Sequence, residues 1–258
     1  MKARGHSALP LSITLPITPA MTPALKNPVF CALDTTDLSK ALAWGNAIKP
    51  YVGGLKIGLE FFNANGPQGI AKIAEIGLPI FADLKLHDIP NTVAGGVRAV
   101  LPLGISILNV HASGGLAMMK AAADEAARAG TKRPKIIGVT VLTSLDASDL
   151  HAAGVTGTPG DHVLRLATLA KLAGLDGVVC SAHEIAPLRK ALGPDFMLIV
   201  PGIRPAGANP GDQKRVMTPM EAVKLGADIV VIGRPITVAS DPASAARAIH
   251  DSLHHAAA

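Results

Sequence analysis

Residues 81–92 read FADLKLHDIPNT, and this segment carries the most specific pattern in the sequence. Apolar residues alternate with others as far as residue 86, which predicts a β-strand. Asp83 and Lys85 share one face of that strand with Phe81, and Asp88 follows just past its end. Three charges of mixed sign therefore lie at the C-terminal tip of one strand, where parallel α/β proteins place ligands and chemistry. An ordinary ion pair on a surface strand, or a polar layer inside a barrel, is the structural alternative.

Short strands and helices alternate along the chain on both sides of this segment. The predicted strands are Val29–Asp34, Gly54–Ile57, Ile80–Lys85, Ile105–His111, Ile136–Leu142, Gly177–Cys180, Met197–Pro201 and Ile229–Ile232. The predicted helices are Leu38–Ile48, Gln68–Ile76, Val93–Leu101, Leu116–Arg128, His162–Ala173, Glu184–Leu192, Pro219–Leu225 and Pro242–Leu253. This α/β alternation predicts a single (β/α)8 TIM barrel with its active site at the C-terminal ends of the strands. An open doubly wound sheet is the alternative, although no Gly-x-Gly-x-x-Gly follows the first strand.

The composition suits a barrel of this kind. The chain has 258 residues, of which 49% are hydrophobic and only 3% aromatic. Its core must therefore be aliphatic, as expected for a parallel sheet that is buried on both faces. A net charge of +5 fits an anionic small molecule, but the Lys and Arg residues are scattered, so we expect no nucleic-acid partner. No stretch approaches the roughly 18 uninterrupted apolar residues of a membrane span, so we expect no membrane partner.

The two cysteines and the N-terminal segment bear on location and on domain limits. Cys31 and Cys180 lie in apolar strand patterns, which predicts buried thiols in a reducing, cytoplasmic compartment. Residues 1–26 faintly resemble a signal peptide, but three prolines interrupt their apolar stretch. We therefore expect a disordered N-terminal extension at residues 1–26 and one catalytic barrel domain at residues 27–258. Met21 is an alternative start, which the intact mass of the native protein would test.

Polar residues stand at the C-terminal ends of most predicted strands. They are Asp34, Lys56, Asp83 with Lys85, Asn109 with His111, Thr143 with Ser144, Arg204 and Arg234. Some have a structural alternative, since Asp34 can cap the first helix and His111 can be a hydrogen-bonded core histidine. Unpaired buried charge is costly, however, so several charges that converge on one rim indicate a functional site.

Two loops on the far side of the rim indicate a phosphate site. Residues 203–215 are rich in Pro and Gly, carry Arg204 and Gln213, and are too long for a simple turn, which predicts a lid. Gly233 and Arg234 follow the eighth strand, where barrels often bind phosphate. Glycine permits close approach of the backbone, and arginine can bind phosphate oxygens through two hydrogen bonds. A disordered surface loop is the alternative for residues 203–215.

Seven short motifs occur in order along the chain. They are Ala32-Leu33-Asp34, Gly54-Leu55-Lys56-Ile57-Gly58, residues 83–92, Leu142-Thr143-Ser144, Pro201-Gly202-Ile203-Arg204-Pro205, Gly211-Asp212-Gln213 and residues 231–236. With them, the sequence resembles the bacterial orotidine 5'-phosphate decarboxylase family from Pro28 to Leu253. The resemblance implies decarboxylation of orotidine 5'-phosphate to UMP and CO₂ in de novo pyrimidine biosynthesis, without a cofactor or a metal ion.

The resemblance also implies roles for individual residues. Lys85 is the implied catalytic lysine, in an alternating charged network with Lys56, Asp83 and, across a homodimer interface, Asp88 of the partner subunit. The implied substrate contacts are Asp34 and Lys56 at the ribose, Ile89 lining the site, Thr92 of the partner subunit, Thr143 and Ser144 at the pyrimidine, and Arg204, Gln213, Gly233 and Arg234 at the 5'-phosphate. None of these positions departs from the family's pattern.

Two other functions stay open. Sugar-phosphate decarboxylases and aldolases related to hexulose-phosphate synthase resemble this barrel and share the Asp-x-Lys-x-x-Asp strand. They use Mg²⁺ and an acidic residue at the tip of the second strand, where this chain has Lys56. A non-catalytic barrel that binds phosphate or nucleic acid is the second alternative, and a steeply salt-dependent affinity for DNA would indicate it.

Overall fold

The computed structural model describes residues 27–205 and 217–254, which contain a closed barrel of eight parallel strands. The strands are β1 (Val29–Ala32), β2 (Gly54–Ile57), β3 (Ile80–Leu86), β4 (Ile107–His111), β5 (Lys135–Val139), β6 (Gly177–Val179), β7 (Met197–Val200) and β8 (Ile229–Ile232). Each strand pairs with the next along the chain, and β8 pairs with β1 to close the ring. The predicted (β/α)8 architecture is therefore confirmed, and the open doubly wound sheet is excluded.

Helices connect successive strands and cover the outside of the barrel. They are α1 (Leu38–Ile48), α2 (Leu59–Ala74), α3 (Pro90–Val100), α4 (Gly115–Ala127), α5 (Ala147–Ala152), α6 (Pro159–Leu172), α7 (Ile185–Leu192), α8 (Pro219–Lys224), α9 (Arg234–Thr237) and α10 (Pro242–His254). Short 3-10 turns lie at Lys49–Tyr51, Leu101–Leu103, Ala112–Gly114, Gly130–Lys132 and Ala182–Glu184. Because the connections cross over between parallel strands, all eight strand C-termini open at one end of the barrel.

Three helices differ most from the sequence prediction, while α3 and α6 each begin three residues earlier than predicted, at Pro90 and Pro159. α2 begins at Leu59 rather than at Gln68, because the chain kinks at Gly66 (φ 59°, ψ −161°) and Pro67 follows at once. The pattern after this break predicts only the second part of α2. Periodicity does not predict α5 and α9 at all, since helices of six and four residues are too short to show a repeating face.

Several strand ends shift by one to three residues. β1 ends at Ala32 rather than at Asp34, so Asp34 lies in the loop beyond the ladder. β4 begins at Ile107 rather than at Ile105. β5 ends at Val139 rather than at Leu142, and the residues after Val139 leave the sheet and enter the loop above the barrel.

The barrel has an apolar interior surrounded by a second apolar layer. Eight inward-facing residues form the interior cluster: Phe30, Ala32, Phe81, Ile107, Ile137, Ile199, Ile229 and Val231. Alternate strand residues such as Leu108 and Val230 pack in the layer between strands and helices. Cys31 and Cys180 are buried and free, as expected, and burial raises the pKa of the Cys31 thiol to about 12. Apolar side chains thus fill both layers and leave polar groups to the strand ends.

A carboxylate holds two strands together at the N-terminal end of the barrel. Asp176, just before β6, accepts hydrogen bonds from two nitrogens of the Arg133 guanidinium (2.9 and 2.6 Å) and from the N–H of Ile136 (2.8 Å). The Lys135 ammonium donates to the same carboxylate at 3.3 Å. These groups lie at the opposite end of the strands from the polar rim, where a role in stability is expected.

Three predicted features lie wholly or mostly outside the described residues: the N-terminal extension at residues 1–26, the lid at residues 203–215, of which 206–215 are not described, and Gln213 within that segment. Within residues 27–205 and 217–254, no helix combines the length and the apolar character needed to cross a membrane.

Candidate active site

Four charged side chains of alternating sign form a row at the C-terminal end of the barrel. The Lys56 ammonium, from β2, contacts Asp34 (Nζ–Oδ1 2.8 Å) and Asp83 (Nζ–Oδ2 3.5 Å). The Lys85 ammonium contacts the other oxygen of Asp83 (Nζ–Oδ1 2.7 Å). The order is therefore Asp34, Lys56, Asp83, Lys85, and every charge in this charged row adjoins a charge of opposite sign.

Burial and pairing act in opposite directions on the two inner groups of the charged row. Burial lowers the pKa of Lys56, which is only 8% exposed, but Asp83 and Asp34 together raise it above its ordinary value. Burial likewise raises the pKa of Asp83, but the lysines on either side and the hydrogen bonds that it accepts bring it below its ordinary value. Both groups are therefore charged at neutral pH, and each buried charge has the partners that it needs.

β3 reaches this geometry through a break in its pairing with β4. Ala82 pairs with Leu108 and Leu86 pairs with Val110, so four steps along β3 correspond to two steps along β4. Lys85 lies inside this bulge and has a φ of 51°, in the left-handed region. That conformation costs a residue with a Cβ about 1–2 kcal/mol, and such strain persists where surrounding contacts impose it.

Asn109 of β4 joins both functional residues of β3, a connection that the sequence alone does not reveal. Its side chain is completely buried, its Nδ2 donates to Asp83 Oδ1 (2.6 Å), and its Oδ1 accepts from the backbone N–H of Lys85 (2.8 Å). A signal was available in the strand pattern, because Asn109 stands two residues after the inward-facing Ile107. A buried amide on the inner face of an apolar strand requires polar partners, and these partners are the site.

Two histidine rings contact each other at a tilt of 38° beside the charged row. The rings of His87 and His111 have centroids 5.3 Å apart. Burial is the main cause that lowers the pKa of His111, and the nearby His87 and Lys85 lower it further. Asp83 raises it, but only partly offsets these effects. His111 is therefore neutral at pH 7, and its ring contact gives it a packing role at the edge of the site.

A cavity of about 270 Å³ opens beside the charged row. Eight of the predicted site residues line it: Asp34, Lys56, Asp83, Lys85, Thr143, Arg204, Gly233 and Arg234. Val139, Val141, Val179 and Val231 contribute an apolar wall. The cavity thus combines charged groups, an apolar surface and two arginines, which suits a small anionic molecule with an apolar face.

Arg204 and Arg234 line the side of the cavity that lies past the C-terminal ends of β7 and β8. Arg204 is buried, and its guanidinium donates to the preceding residue's carbonyl at 3.0 Å. Gly233 directly follows β8, and a Cβ there would lie 3.3 Å from Cβ of Ala32 and 3.9 Å from Oδ2 of Asp34. Glycine therefore leaves room between β8 and β1, and the guanidinium groups favour an anion such as phosphate on this side.

Four predicted site residues do not line the cavity among the residues that the structure describes. Ser144 is exposed in the loop just after Thr143. Asp88, Ile89 and Thr92 lie at the junction of β3 and α3, where all three are exposed, Ile89 by 67%. The Asp88 carboxylate accepts the backbone N–H of Ile89 at 2.6 Å. These three residues are accessible to another molecule.

The acidic groups of the cavity are separated by an ammonium group. Asp34 and Asp83 both contact Lys56 Nζ, at the place between two carboxylates that a divalent cation would need. Across the described ranges, 27–205 and 217–254, no three His, Cys, Asp or Glu side chains form a group that could hold a metal ion. The donor set of the cavity is thus suited to a substrate anion.

Comparisons with a family model, with related sequences and with solved structures all indicate the same family. The family model described as orotidine 5'-phosphate decarboxylase / HUMPS matches residues 27–249. An orotidine 5'-phosphate decarboxylase of Rhodospirillum rubrum is 55% identical over 234 residues, which cover 89% of this chain and 95% of the relative. One of Sphingopyxis alaskensis is 53% identical over 229 residues, covering 89% of this chain and 100% of the relative. The crystal structure of orotidine 5'-phosphate decarboxylase from Lactobacillus acidophilus has a TM-score of 0.76 and 39% identity, covering 88% of this chain and 99% of that chain.

Proposed function

The chain belongs to the orotidine 5'-phosphate decarboxylase / HUMPS family, and from this premise we propose that it converts orotidine 5'-phosphate to UMP and CO₂ in de novo pyrimidine biosynthesis. The observation that carries the proposal is the charged row of Asp34, Lys56, Asp83 and Lys85 beside a cavity that also contains two arginines. A magnesium-dependent sugar-phosphate reaction in the same barrel is disfavoured, because the Lys56 ammonium would repel the ion.

Lys85 is the proposed catalytic residue, and no cofactor is required. The bond between C6 of the pyrimidine and its carboxylate breaks, CO₂ leaves, and the electron pair stays on C6. An ammonium group beside C6 stabilises the developing negative charge and then transfers one proton to C6. The resulting neutral amine regains its proton from solvent, so the lysine supplies both the electrostatic stabilisation and the proton.

The other charged groups are proposed to organise Lys85 and the reacting carboxylate. Asp83 lies 2.7 Å from the Lys85 ammonium and would adjoin the substrate carboxylate, where repulsion raises the energy of the bound ground state. Lys56 balances the charge of Asp83 from the other side, at 3.5 Å. Asp88 of the partner subunit would extend the charged row to five alternating charges, of which Lys56, Asp83, Lys85 and Asp88 form the network of balanced sign around the reacting group.

The remaining residues are proposed to bind the rest of the nucleotide. Asp34 and Lys56 would contact the ribose hydroxyls, and Thr143 and Ser144 the pyrimidine edge. Arg204, Gln213, Gly233 and Arg234 would bind the 5'-phosphate. Since the phosphate is remote from C6, its binding energy can be used to organise the reacting end of the substrate.

We propose that the active form is a homodimer in the cytoplasm, with residues 27–258 as the catalytic domain. Asp88, Ile89 and Thr92 are exposed and do not line the cavity of their own chain within the described residues, which supports a role at the partner's cavity. In a twofold interface each chain contributes the same residues to the other, so both sites would be completed together. Residues 1–26 are given no role in the reaction.

The test is the loss of orotidine 5'-phosphate absorbance for the wild type, Lys85→Ala and Lys135→Ala, each with and without EDTA. The wild type is expected to turn over equally in both conditions, and Lys85→Ala to lose almost all activity. Lys135→Ala is the matched control, because it removes a lysine from the N-terminal end of the barrel, 3.3 Å from Asp176.

Each outcome has a separate meaning. Turnover that disappears in EDTA would contradict the metal-independent mechanism while leaving the reaction in place. Full activity of Lys85→Ala would remove Lys85 from its catalytic role. A wild type that leaves orotidine 5'-phosphate unchanged, but consumes a sugar phosphate when Mg²⁺ is present, would favour the other reaction of the same barrel.

A further inference from the structure

Asn109 is the residue that connects the side chain of Asp83 to the backbone of Lys85. It lies in the middle of β4, it is completely buried, and its amide group makes one hydrogen bond in each direction. The donated bond goes to Asp83 Oδ1 at 2.6 Å, and the accepted bond comes from the Lys85 N–H at 2.8 Å. Both bonds cross from β4 to β3, so one side chain fixes two consecutive positions on the inner face of β3.

The accepted bond explains how β3 can hold Lys85 in its unusual conformation. Residues 83–85 fall between the pairs Ala82–Leu108 and Leu86–Val110, where β3 has two more residues than β4 and the regular ladder is interrupted. The Lys85 N–H bonds to a side-chain oxygen instead of a ladder carbonyl, and the residue adopts a φ of 51°. The Asn109 amide therefore takes the place of a backbone acceptor inside the bulge.

The hydrogen bond that Asn109 donates stabilises and orients the Asp83 carboxylate. Asp83 Oδ1 accepts from both the Lys85 ammonium (2.7 Å) and Asn109 Nδ2 (2.6 Å), while its Oδ2 faces Lys56 at 3.5 Å. This arrangement orients the carboxylate so that one oxygen serves each lysine. Burial raises the pKa of Asp83, and the Asn109 hydrogen bond is one of the contacts that outweigh it.

We propose that Asn109 is a positioning residue for the decarboxylation: it holds the Lys85 backbone in the bulge and the Asp83 carboxylate against the Lys85 ammonium. The inference rests on the proposed function, because it assigns Asn109 a part in the reaction attributed to Lys85. The position requires one donor and one acceptor on a short planar group. Leucine has the shape of asparagine but neither hydrogen-bonding group, and an ionised aspartate has acceptors only.

Two substitutions separate a positioning role from a general structural role. Asn109→Leu removes both hydrogen bonds and is expected to lower kcat by about 10- to 100-fold, the range for a lost hydrogen bond to a charged group. KM is expected to change much less, because Arg204 and Arg234 lie on the β7–β8 side of the cavity. Asp176→Asn is the control, since it alters a buried polar contact at the opposite end of the barrel and is expected to lower Tm without changing kcat.

Asn109→Asp supplies a rescue that depends on pH. When the new side chain is ionised it faces the Asp83 carboxylate and repels it, so activity is expected to fall at least as far as in Asn109→Leu. When it is protonated it offers one O–H donor and one carbonyl acceptor, as asparagine does. The kcat of Asn109→Asp relative to wild type is therefore expected to rise as pH falls, whereas the ratio for Asn109→Leu stays constant.

Crystal structures of the wild type and Asn109→Leu provide a readout that does not depend on turnover. In the variant, Lys85 is expected to leave the left-handed conformation or to lose its hydrogen bond to Asp83. An unchanged Lys85 in that crystal structure, or wild-type kcat in both Asn109 variants, would overturn the inference, as would equal losses in both variants at every pH. Absence of turnover by the wild type would instead contradict the proposed function, and the crystal structures would still decide the role of Asn109.

Discussion

Lys56 has a central place in the charge balance of the site. Its ammonium lies 2.8 Å from Asp34 and 3.5 Å from Asp83, and it opposes the burial that raises the Asp83 pKa. We predict that Lys56→Met lowers the free energy of unfolding by about 3 kcal/mol, the lower end of the range for breaking a buried pair, because the Asp34 carboxylate is half-exposed. We also predict that the same change raises the pKa of Asp83.

The sign of the resulting pH dependence follows from the direction of the Asp83 shift. In the wild type the folded-state pKa of Asp83 lies below its ordinary value of 3.8, so its stabilising effect is present above that value and is lost as pH falls through the folded-state pKa. In Lys56→Met the folded-state pKa of Asp83 moves up toward or above 3.8, so Asp83 contributes less stability and Tm should fall less as pH drops below about 4, while the acid limb of kcat/KM should move to a higher pH. Tm and kcat/KM between about pH 2 and pH 8 measure this difference.

Lys135→Met is the matched control for this pH profile. Its ammonium lies 3.3 Å from Asp176 at the far end of the barrel, so the acid limb of kcat/KM should stay as in the wild type. Coincident acid limbs for the wild type and Lys56→Met would show that Lys56 does not control the ionisation of Asp83.

At the scale of single residues, strand alternation was enough to place Asp83 and Lys85 on one inward face. It could not reveal the positive φ of Lys85, because that angle depends on the two-residue mismatch between β3 and β4. Nor could it separate Thr143, which lines the cavity, from the exposed Ser144. That difference arises where β5 leaves the sheet after Val139, and the apolar pattern continues past this point.

At the scale of elements, α2 shows how a local break hides part of a helix. Gly66 has φ 59° and ψ −161°, a region that is essentially restricted to glycine, and Pro67 follows it. The stretch before the break, from Leu59 to Asn65, is too short to show a repeating face in the sequence. Helices with longer uninterrupted patterns, such as α4 and α10, were predicted to within one residue at each end.

We predict that Gly66→Ala lowers the free energy of unfolding by about 1–3 kcal/mol, since a Cβ makes this backbone conformation costly. A Cβ would also lie 3.1 Å from the Gln68 side-chain oxygen. Gly160→Ala is the matched control, because Gly160 lies in the first turn of α6 without a positive φ and with its nearest neighbour 3.9 Å from a Cβ. It should be neutral or stabilise by up to about 1 kcal/mol.

Urea unfolding of the wild type and both glycine variants measures these changes in the free energy of unfolding. The kcat of each variant should be unchanged, because neither residue lines the cavity. Equal effects of the two substitutions would mean that the kink at Gly66 does not require glycine.

At the scale of the whole molecule, alternation of strand and helix patterns specified the barrel because each parallel strand must be followed by a crossover. Closure also brings residues from β1, β2, β3 and β8, and from the segment just after β7, to one cavity, as expected from their positions at or just past the strand ends. The proposed assembly could not be predicted in this way. The sequence pattern of one chain indicates which residues form its core, but it does not indicate which exposed residues would meet a second copy, so the dimer proposal rests on the family resemblance.

The proposed sharing of sites between subunits predicts that two inactive variants restore activity to each other. In a dimer of Lys85→Ala with Asp88→Ala, one site lacks both residues and the other has Lys85 from one chain and Asp88 from its partner. When equal amounts of the two chains are unfolded and refolded together, half of the dimers should be hybrids. Each hybrid has one intact site out of two, so the mixture should recover about one quarter of wild-type activity, as a twofold interface requires.

Lys85→Ala with Asp83→Asn is the matched control, because both residues belong to the same chain's site and every site in that hybrid is defective. Different affinity tags on the two chains establish that hybrids are present. If tagged hybrids of Lys85→Ala and Asp88→Ala are as inactive as the control hybrids, Asp88 acts within its own chain or not at all, and the shared site is wrong.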